Sequence, residues 1–428
     1  MGKVVKLEPG FKDRSSRARP SSRRAASAAK RRDRTALVLG GGGFTGGVYE
    51  IGALRAIDLL SVNRTVNDFD IYVGTSAGAF IAALCANGVT PEEMMRVVTR
   101  QGPLPFRDLD IGDLLRPNVA EFVRSGISLP GRALGLVRHL ASHFGEVSVM
   151  DLLLGLGEAL PSGAYTGKGL ETYVRRVLSD PDRSDDFRML DAELYLAATD
   201  LDTCERIVLG GEGFDDVPIS RAVRASTALP MVYAPVMIKE RELIDGGIVS
   251  TTNLDIAVQA GAKLVVVLNP IVPFVNDFSK EVMTLRGPRP RRVSDMGFPQ
   301  IGYQAFKLLA YQRLHEVARQ WEQRYPGVDI VLIEPEPDDE LMFQTSMMNF
   351  SSRVDIARHG FQSVTYQLAG DYERFKATCD RHGIEISATR VRKVIEHFGA
   401  ERERVGAWRK ILEQTTGSLL RQSSATGD

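Results

Sequence analysis

Three cysteines in 428 residues, Cys85, Cys204 and Cys379, lie far apart in the chain. They have neither metal-ligand spacing nor a paired framework, so a disulfide scaffold and a zinc ribbon are excluded and a reducing compartment is expected. No apolar run reaches the roughly 18 residues that a membrane-spanning helix needs. The N-terminus carries charge without an apolar stretch behind it, which argues against a secretory signal, although an Arg/Ser-rich, acid-poor start is also the composition of a transit peptide. Histidine is scarce too. None of His139, His143, His315, His359, His382 and His397 sits in a post-strand loop of the kind that holds a triad histidine.

Net charge is zero overall, but it is unevenly distributed. Residues 1–34 carry twelve Lys/Arg against three Asp/Glu, a net of +9, and the remaining 394 carry 42 against 51. This tail is Arg, Ser, Ala and Lys with almost nothing to bury, so it is expected to be disordered. It reads either as a solvated tail or as a polybasic patch for anionic lipid, where each cation adds up to ~1 kcal/mol near the surface. With no aromatic residue among the charges beyond Phe11, nucleic acid is not the expected partner. The rest, at 43% hydrophobic and 25% charged residues, is ordinary globular protein of one large or two smaller domains. Cytoplasmic placement, with peripheral membrane association through the tail, is the expectation.

From Thr35 onward the pattern alternates. Strands are predicted at Thr35–Leu39, Asp70–Val73, Glu193–Thr199, Arg206–Leu209, Glu242–Ile244, Lys263–Leu268 and Asp329–Ile333, and helices at Gly46–Leu60 and Ala77–Asn87. Continuous apolar runs such as Leu264–Leu268 fit strands covered on both faces, so the fold class is α/β, layered, with a central mainly parallel sheet. Within residues 101–167, Leu104, Phe106, Leu114, Leu115, Phe122, Leu136, Val137, Leu140, Phe144 and Leu152–Leu154 recur among Pro and Gly breaks. They read as short apolar helices inserted into the sheet order, serving as extra core or as a lid or wall that meets lipid. Residues 283–295, with Arg286-Gly287-Pro288-Arg289-Pro290-Arg291-Arg292, read as a basic, Pro-rich exposed loop. Residues 371–428 read as a helical extension whose stripe of Val391, Val394, Ile395, Phe398, Val405, Trp408, Ile411 and Leu412 is a packing face. That stripe permits a homo-oligomer without requiring one.

Chemistry concentrates in two turns and one strand end. Gly74-Thr75-Ser76-Ala77-Gly78 is a G-x-S-x-G between a short buried strand and an apolar helix, a turn that lifts a serine hydroxyl clear of the sheet. Gly40-Gly41-Gly42-Gly43-Phe44-Thr45-Gly46-Gly47 follows the first strand and exposes backbone N–H groups at a helix start, an anion cradle. Gly41, Gly43 and Gly46 also spell the dinucleotide fingerprint. That reading expects an acidic residue at the end of the second strand, where Gly74-Thr75-Ser76 stands instead. No G-K-[ST] follows for a phosphate loop, so an oxyanion hole is the better account. The serine needs a base, and the candidate is Asp245 in Leu243-Ile244-Asp245-Gly246-Gly247, against the plainer reading of an Asx turn.

The motifs Gly41-Gly42-Gly43-x-x-Gly46, Gly74-x-Ser76-x-Gly78, Ala225-Ser226-x-Ala228-Leu229-Pro230 and Asp245-Gly246-Gly247 resemble, in order and spacing, those of patatin-like phospholipases; Ala198-Thr199-Asp200-Leu201 is similar to a strand end of the same family. The resemblance covers about residues 35–370. It implies a lipid acyl hydrolase with a Ser76–Asp245 dyad. The backbone N–H groups of Gly41, Gly42, Gly43 and Ala77 would hold the oxyanion, and neither metal nor other cofactor is required. Two departures stand out: Thr45 where the family usually has Arg or Lys, and Asn253-Leu254-Asp255 where it commonly has Asn-x-Pro. Thr45 is the feature that favours the alternative of a non-catalytic lipid-binding protein on the same fold.

Overall fold

Alternating strand and helix signals become a layered sheet in this computed structural model, which describes residues 33–119, 121, 123, 161–277, 281–284, 287–290, 292–337, 339, 341, 342, 345 and 350–398. β1 (Thr35–Leu39) is wholly buried and leads through the glycine loop into α1 (Gly43–Leu60). β2 (Ile71–Thr75) leads through a single-residue turn into α2 (Ala77–Ala86), and α3 (Pro91–Thr99) follows, capped by Thr90 and Glu93. After the short α4 (Ile111–Leu114) and β3 (Gly163–Tyr165) come α5 (Lys168–Leu178), β4 (Glu193–Asp200), β5 (Arg206–Leu209) and α6 (Ile219–Ser226). The strands β6 (Met231–Tyr233), β7 (Val236–Ile238) and β8 (Arg241–Asp245) precede α7 (Leu254–Gln259) and β9 (Leu264–Leu268). A ribbon, β10 (Glu281–Thr284) and β11 (Gly287–Pro290), then leads to α8 (Phe298–Arg319), α9 (Trp321–Arg324), β12 (Asp329–Ile333), α10 (Arg353–Gly370) and α11 (Tyr372–Arg381).

The main sheet has the order β12–β9–β1–β2–β4–β8–β7, with β5 also paired to β4. β12, β9, β1, β2 and β4 are parallel, and β5, β8 and β7 add antiparallel pairings. A mainly parallel sheet wants cover on both faces, which the sequence supplies as unbroken runs such as Leu-Val-Val-Val-Leu in β9. β1 lies between β9 and β2, so the loop after β1 opens at a switch in strand order, where open α/β sheets place their sites. β2 and β8 use the same edge of β4 in succession: Thr75 pairs with Ala197, and Asp245 with the next residue, Ala198. Two chain segments 170 residues apart therefore end side by side.

α1 and α10 pack on one face of the sheet at glycine contacts. A Cβ on Gly52 would sit 2.1 Å from the Ala357 carbonyl oxygen, and one on Gly360 would sit 2.4 Å from that of Tyr49. Because the obstructing atoms are backbone, neither helix can yield without separating. Gly360→Ala is expected to cost about 1–3 kcal/mol by overpacking, read as a fall of several degrees in Tm.

The predicted strands all form, with ends shifted by no more than two residues, and the first helix begins at Gly43 rather than Gly46. Two expectations change. The expected loop at 283–295 contains all of β11 and the end of β10. Pro288 and Pro290 lie two residues apart, so both missing N–H groups face the same edge, and proline is compatible with that geometry. The C-terminal helix is interrupted after α11: Ile386 bridges to Ser61 and residues 388–398 resume the helix. Phe398 meets Phe361 edge-on at 5.4 Å, so the near half of the predicted stripe packs on α10 of its own chain. Val405, Trp408, Ile411 and Leu412 lie outside the described residues. So do residues 1–32 and most of the 101–167 insertion, including Leu136, Val137, His139, Leu140, His143, Phe144 and Leu152–Leu154.

Candidate active site

Ser76 occupies the turn between β2 and α2 with φ 55° and ψ −124°, a conformation few non-glycine residues adopt. The flanking glycines make the turn sterically possible. A Cβ on Gly74 would meet the Ala79 backbone at 2.5 Å, and one on Gly78 would meet the carbonyl oxygens of Leu39 and Gly40 at 2.4 Å. This spacing of small residues is the sequence's provision for bringing α2 against the end of β1.

The Ser76 hydroxyl and the Asp245 carboxyl line the same cavity, near enough for the hydroxyl to favour the ionised carboxylate. Asp245 is 3% exposed, and its Oδ1 accepts the Gly247 amide at 2.7 Å. Burial raises its carboxyl from the usual carboxylate range to about 6, against the lowering effect of the Ser76 hydroxyl and the Gly247 amide. The register described above explains the meeting, because β4 holds both strand ends on adjacent residues. The Asx-type bond to Gly247 and the carboxyl's place beside Ser76 coexist, so the two readings of Asp245 describe one arrangement.

The glycine loop lies on the other side of Ser76. An added Cβ on Gly41 would touch Ser76 Cβ at 3.3 Å, and Gly42 and Gly46 pack on Pro270 just as closely. The loop's amides are not equivalent. Gly41 donates to the Thr251 carbonyl at 3.0 Å, so the N–H expected to face an oxyanion is already engaged. Among the described residues the amides of Gly42, Gly43 and Ala77 have no acceptor. Gly246 backs the site by lying against the Ala197 carbonyl.

Two residues not singled out from the sequence hold this geometry. Ser226 Oγ accepts the Ser76 amide at 2.9 Å and donates to the Ala197 carbonyl at 2.6 Å. Its place in the Ala225–Pro230 motif was the available signal. Removing the hydroxyl leaves both backbone groups short of a partner, so Ser226→Ala is expected to lower unfolding free energy by about 1–3 kcal/mol in urea titration. Asn253, buried and at φ 50°, donates to Thr75 Oγ1 at 3.0 Å. Its Oδ1 accepts from Arg206, which forms a two-pronged bridge to Asp255 at 2.8 and 2.7 Å. Asp255, standing where proline is common, thus ties α7 to β5. Asp200 accepts the amides of Asp202 and Thr203 and an Arg241 hydrogen bond, organising the turn after β4. Thr45 is 3% exposed.

Histidines in the described residues are committed elsewhere or exposed. His315 bonds Glu334, His359 bonds Asp339, His382 bonds Asp329, and His397 is exposed.

Ser76 and Asp245 open onto a cavity of about 140 Å³ whose wall is almost entirely apolar, including Phe80, Leu84, Met94, Leu170 and Tyr173. Phe106, Leu109 and Leu114 from the 101–167 segment belong to this wall. Its polar exceptions include Asp108 and Arg353, which face each other at 4.0 Å. Room for roughly ten water-sized groups in so dry a lining suits a hydrocarbon chain.

A family profile described as Patatin-like phospholipase matches residues 37–258. The chain is 23% identical over 227 residues to the probable lipid hydrolase 463L of Invertebrate iridescent virus 6, across 52% of its own length and 63% of the viral protein's. Among solved structures, VipD from Legionella pneumophila is 15% identical over 80% of this chain and 67% of that one, at a TM-score of 0.35. The type III effector ExoU of Pseudomonas aeruginosa is 14% identical over 79% and 53%, at 0.34. Since the profile spans more than half of its length, the chain belongs to the patatin-like phospholipase family.

Proposed function

We propose that this protein is a serine acyl hydrolase that cleaves the carboxylic ester of a phospholipid or acylglycerol. The observation that carries the reading is Ser76 and the buried Asp245 carboxyl side by side at an apolar cavity. In this reading Asp245 takes the Ser76 proton as Oγ attacks the acyl carbonyl. The amides of Gly42, Gly43 and Ala77 receive the developing oxyanion; each such donor is typically worth ~3 kcal/mol of transition-state stabilisation. Collapse expels the alcohol, which takes the proton from Asp245. Water, deprotonated by the same carboxylate, then releases the fatty acid and restores Ser76. The acyl chain lies along Phe80, Leu84 and Leu170, where apolar burial contributes about 0.8 kcal/mol per methylene.

A fluorescent fluorophosphonate with peptide mass spectrometry tests the nucleophile. Labelling at Ser76 is expected. A folded protein that binds lipid vesicles yet takes up no label would overturn the reading in favour of a non-catalytic lipid-binding protein. An ester series of rising chain length separates a lipase-like enzyme, whose rate climbs above the micellar threshold, from a short-chain esterase.

A further inference from the structure

α8 is turned inside out with respect to charge. Lys307 is 4% exposed and sits 4.5 Å from the Tyr303 ring centre, and burial lowers its ammonium to about 8. On the opposite side Ile301, Leu308 and Leu309 are 46%, 46% and 73% exposed. Together with exposed Ala305 these occupy positions i, i+4, i+7 and i+8, one continuous stripe along the first half of the helix. Burying a lysine while leaving three large aliphatic side chains in water is unfavourable twice over, unless the outer face meets an apolar medium.

Two further observations identify that medium. The stripe lies beside the cavity: Phe306 of α8 lines it, as does Ile271. Gln304 clamps the backbone of Phe274 at 2.8 and 3.2 Å, next to Val275, which is itself 61% exposed. The second is charge. Residues 278–319 hold eight Lys/Arg against three Asp/Glu, in a chain whose residues 35–428 are net acidic. In the sequence Arg289, Arg291 and Arg292 come six to nine residues before the helix, and Arg292 is exposed.

We infer that the exposed face of α8, with exposed Arg292 ahead of it, is the surface on which this protein lies against an anionic lipid bilayer. Ile301, Leu308, Leu309 and Val275 enter the interfacial region while Arg292 meets headgroup phosphates, the arrangement of an interfacial amphipathic helix. The cavity then faces the bilayer, and a lipid can pass from one to the other with little exposure to water. This inference rests on the lipid-hydrolase reading for its purpose, but not for its test.

The test uses the full-length chain carrying Ser76→Ala, so that vesicles stay intact and binding is read without turnover. Co-sedimentation is measured with phosphatidylcholine vesicles and with vesicles containing 30% phosphatidylglycerol, the latter fraction chosen on the order of a cell's anionic lipid content. Leu308→Gln/Leu309→Gln, and Leu309→Gln alone as the mildest change, are compared with Arg289→Gln/Arg291→Gln/Arg292→Gln. The double leucine variant is expected to lose binding to anionic vesicles about tenfold or more, since two large aliphatic side chains no longer enter the interface. The arginine variant is expected to lose the preference for anionic vesicles and its sensitivity to salt. Undiminished binding by folded leucine variants would overturn the inference, as would binding that depends on residues 1–34 alone. A dimer in light scattering that the leucine substitutions dissociate would also overturn it, because the face would then belong to a second copy.

Discussion

Ser76→Ala is expected to lower ester hydrolysis by about 10⁴-fold or more and to abolish fluorophosphonate labelling, the scale seen when a nucleophile is removed from a coupled catalytic unit. The fold is expected to persist. Alanine keeps the same backbone strain at φ 55° and gives up only the hydroxyl's electrostatic support of Asp245. Ser76→Gly supplies the contrast. The strained turn costs about 1–3 kcal/mol, and glycine relieves part of it, so this variant is expected to be as inactive as Ser76→Ala but to melt higher. An enzyme that keeps its hydrolysis after either substitution does not use this serine. One that loses activity together with its circular dichroism leaves the turn with a structural role.

Asp245→Asn is expected to be inactive and, above pH 6, more stable than the parent. The folded carboxyl titrates near 6 against an ordinary value of 3.8, chiefly because it is buried. Between those two pH values the folded state holds more protons than the unfolded one, so stability falls as pH rises through the window and stays low above it. Asparagine carries no charge to bury. A shift of about two pKa units corresponds to up to ~3 kcal/mol, the gain expected for Asp245→Asn at neutral pH and absent below pH 4. The same titration governs the rate. A base must be ionised, so kcat/KM is expected to fall tenfold per pH unit below about 6 and to level off above it. A parent enzyme with full activity at pH 5, or an Asn variant with unchanged stability at pH 7.5, would show that the buried carboxylate is not the group being titrated.

The turn at Ser76 was legible because its requirements are local. A buried strand, a serine between glycines and an apolar helix are enough to announce it. Asp245 was legible only as one of two readings, an Asx turn or an aimed acid, since Asp-Gly-Gly supports both. Ser226 was visible only as part of the Ala225–Pro230 motif, and Asn253 left no trace of its role, because each acts on Ser76 or the residue beside it from more than 140 positions away. Likewise, nothing in Gly41-Gly42-Gly43 distinguishes the amide spent on Thr251 from those left open. The apolar positions at Phe106 and Leu114 read equally as core or as wall, and their place beside the serine depends on how α4 and α5 fold over α2 and α3.

By itself the sequence determined the periodicities, the turns and the residue types. Buried parallel strands, glycines where backbones must touch, and a serine where a strand must turn into a helix are set by hydrophobic patterning and by sterics within a few residues. Strand pairing decided the rest. That Asp245 reaches Ser76 follows from β2 and β8 ending on adjacent residues of β4. That Lys307 points inward while Leu308 and Leu309 point outward follows from how α8 packs. Both are long-range outcomes, in which one rotation of a helix or one step of register changes which side chains meet, and no local pattern carries that information.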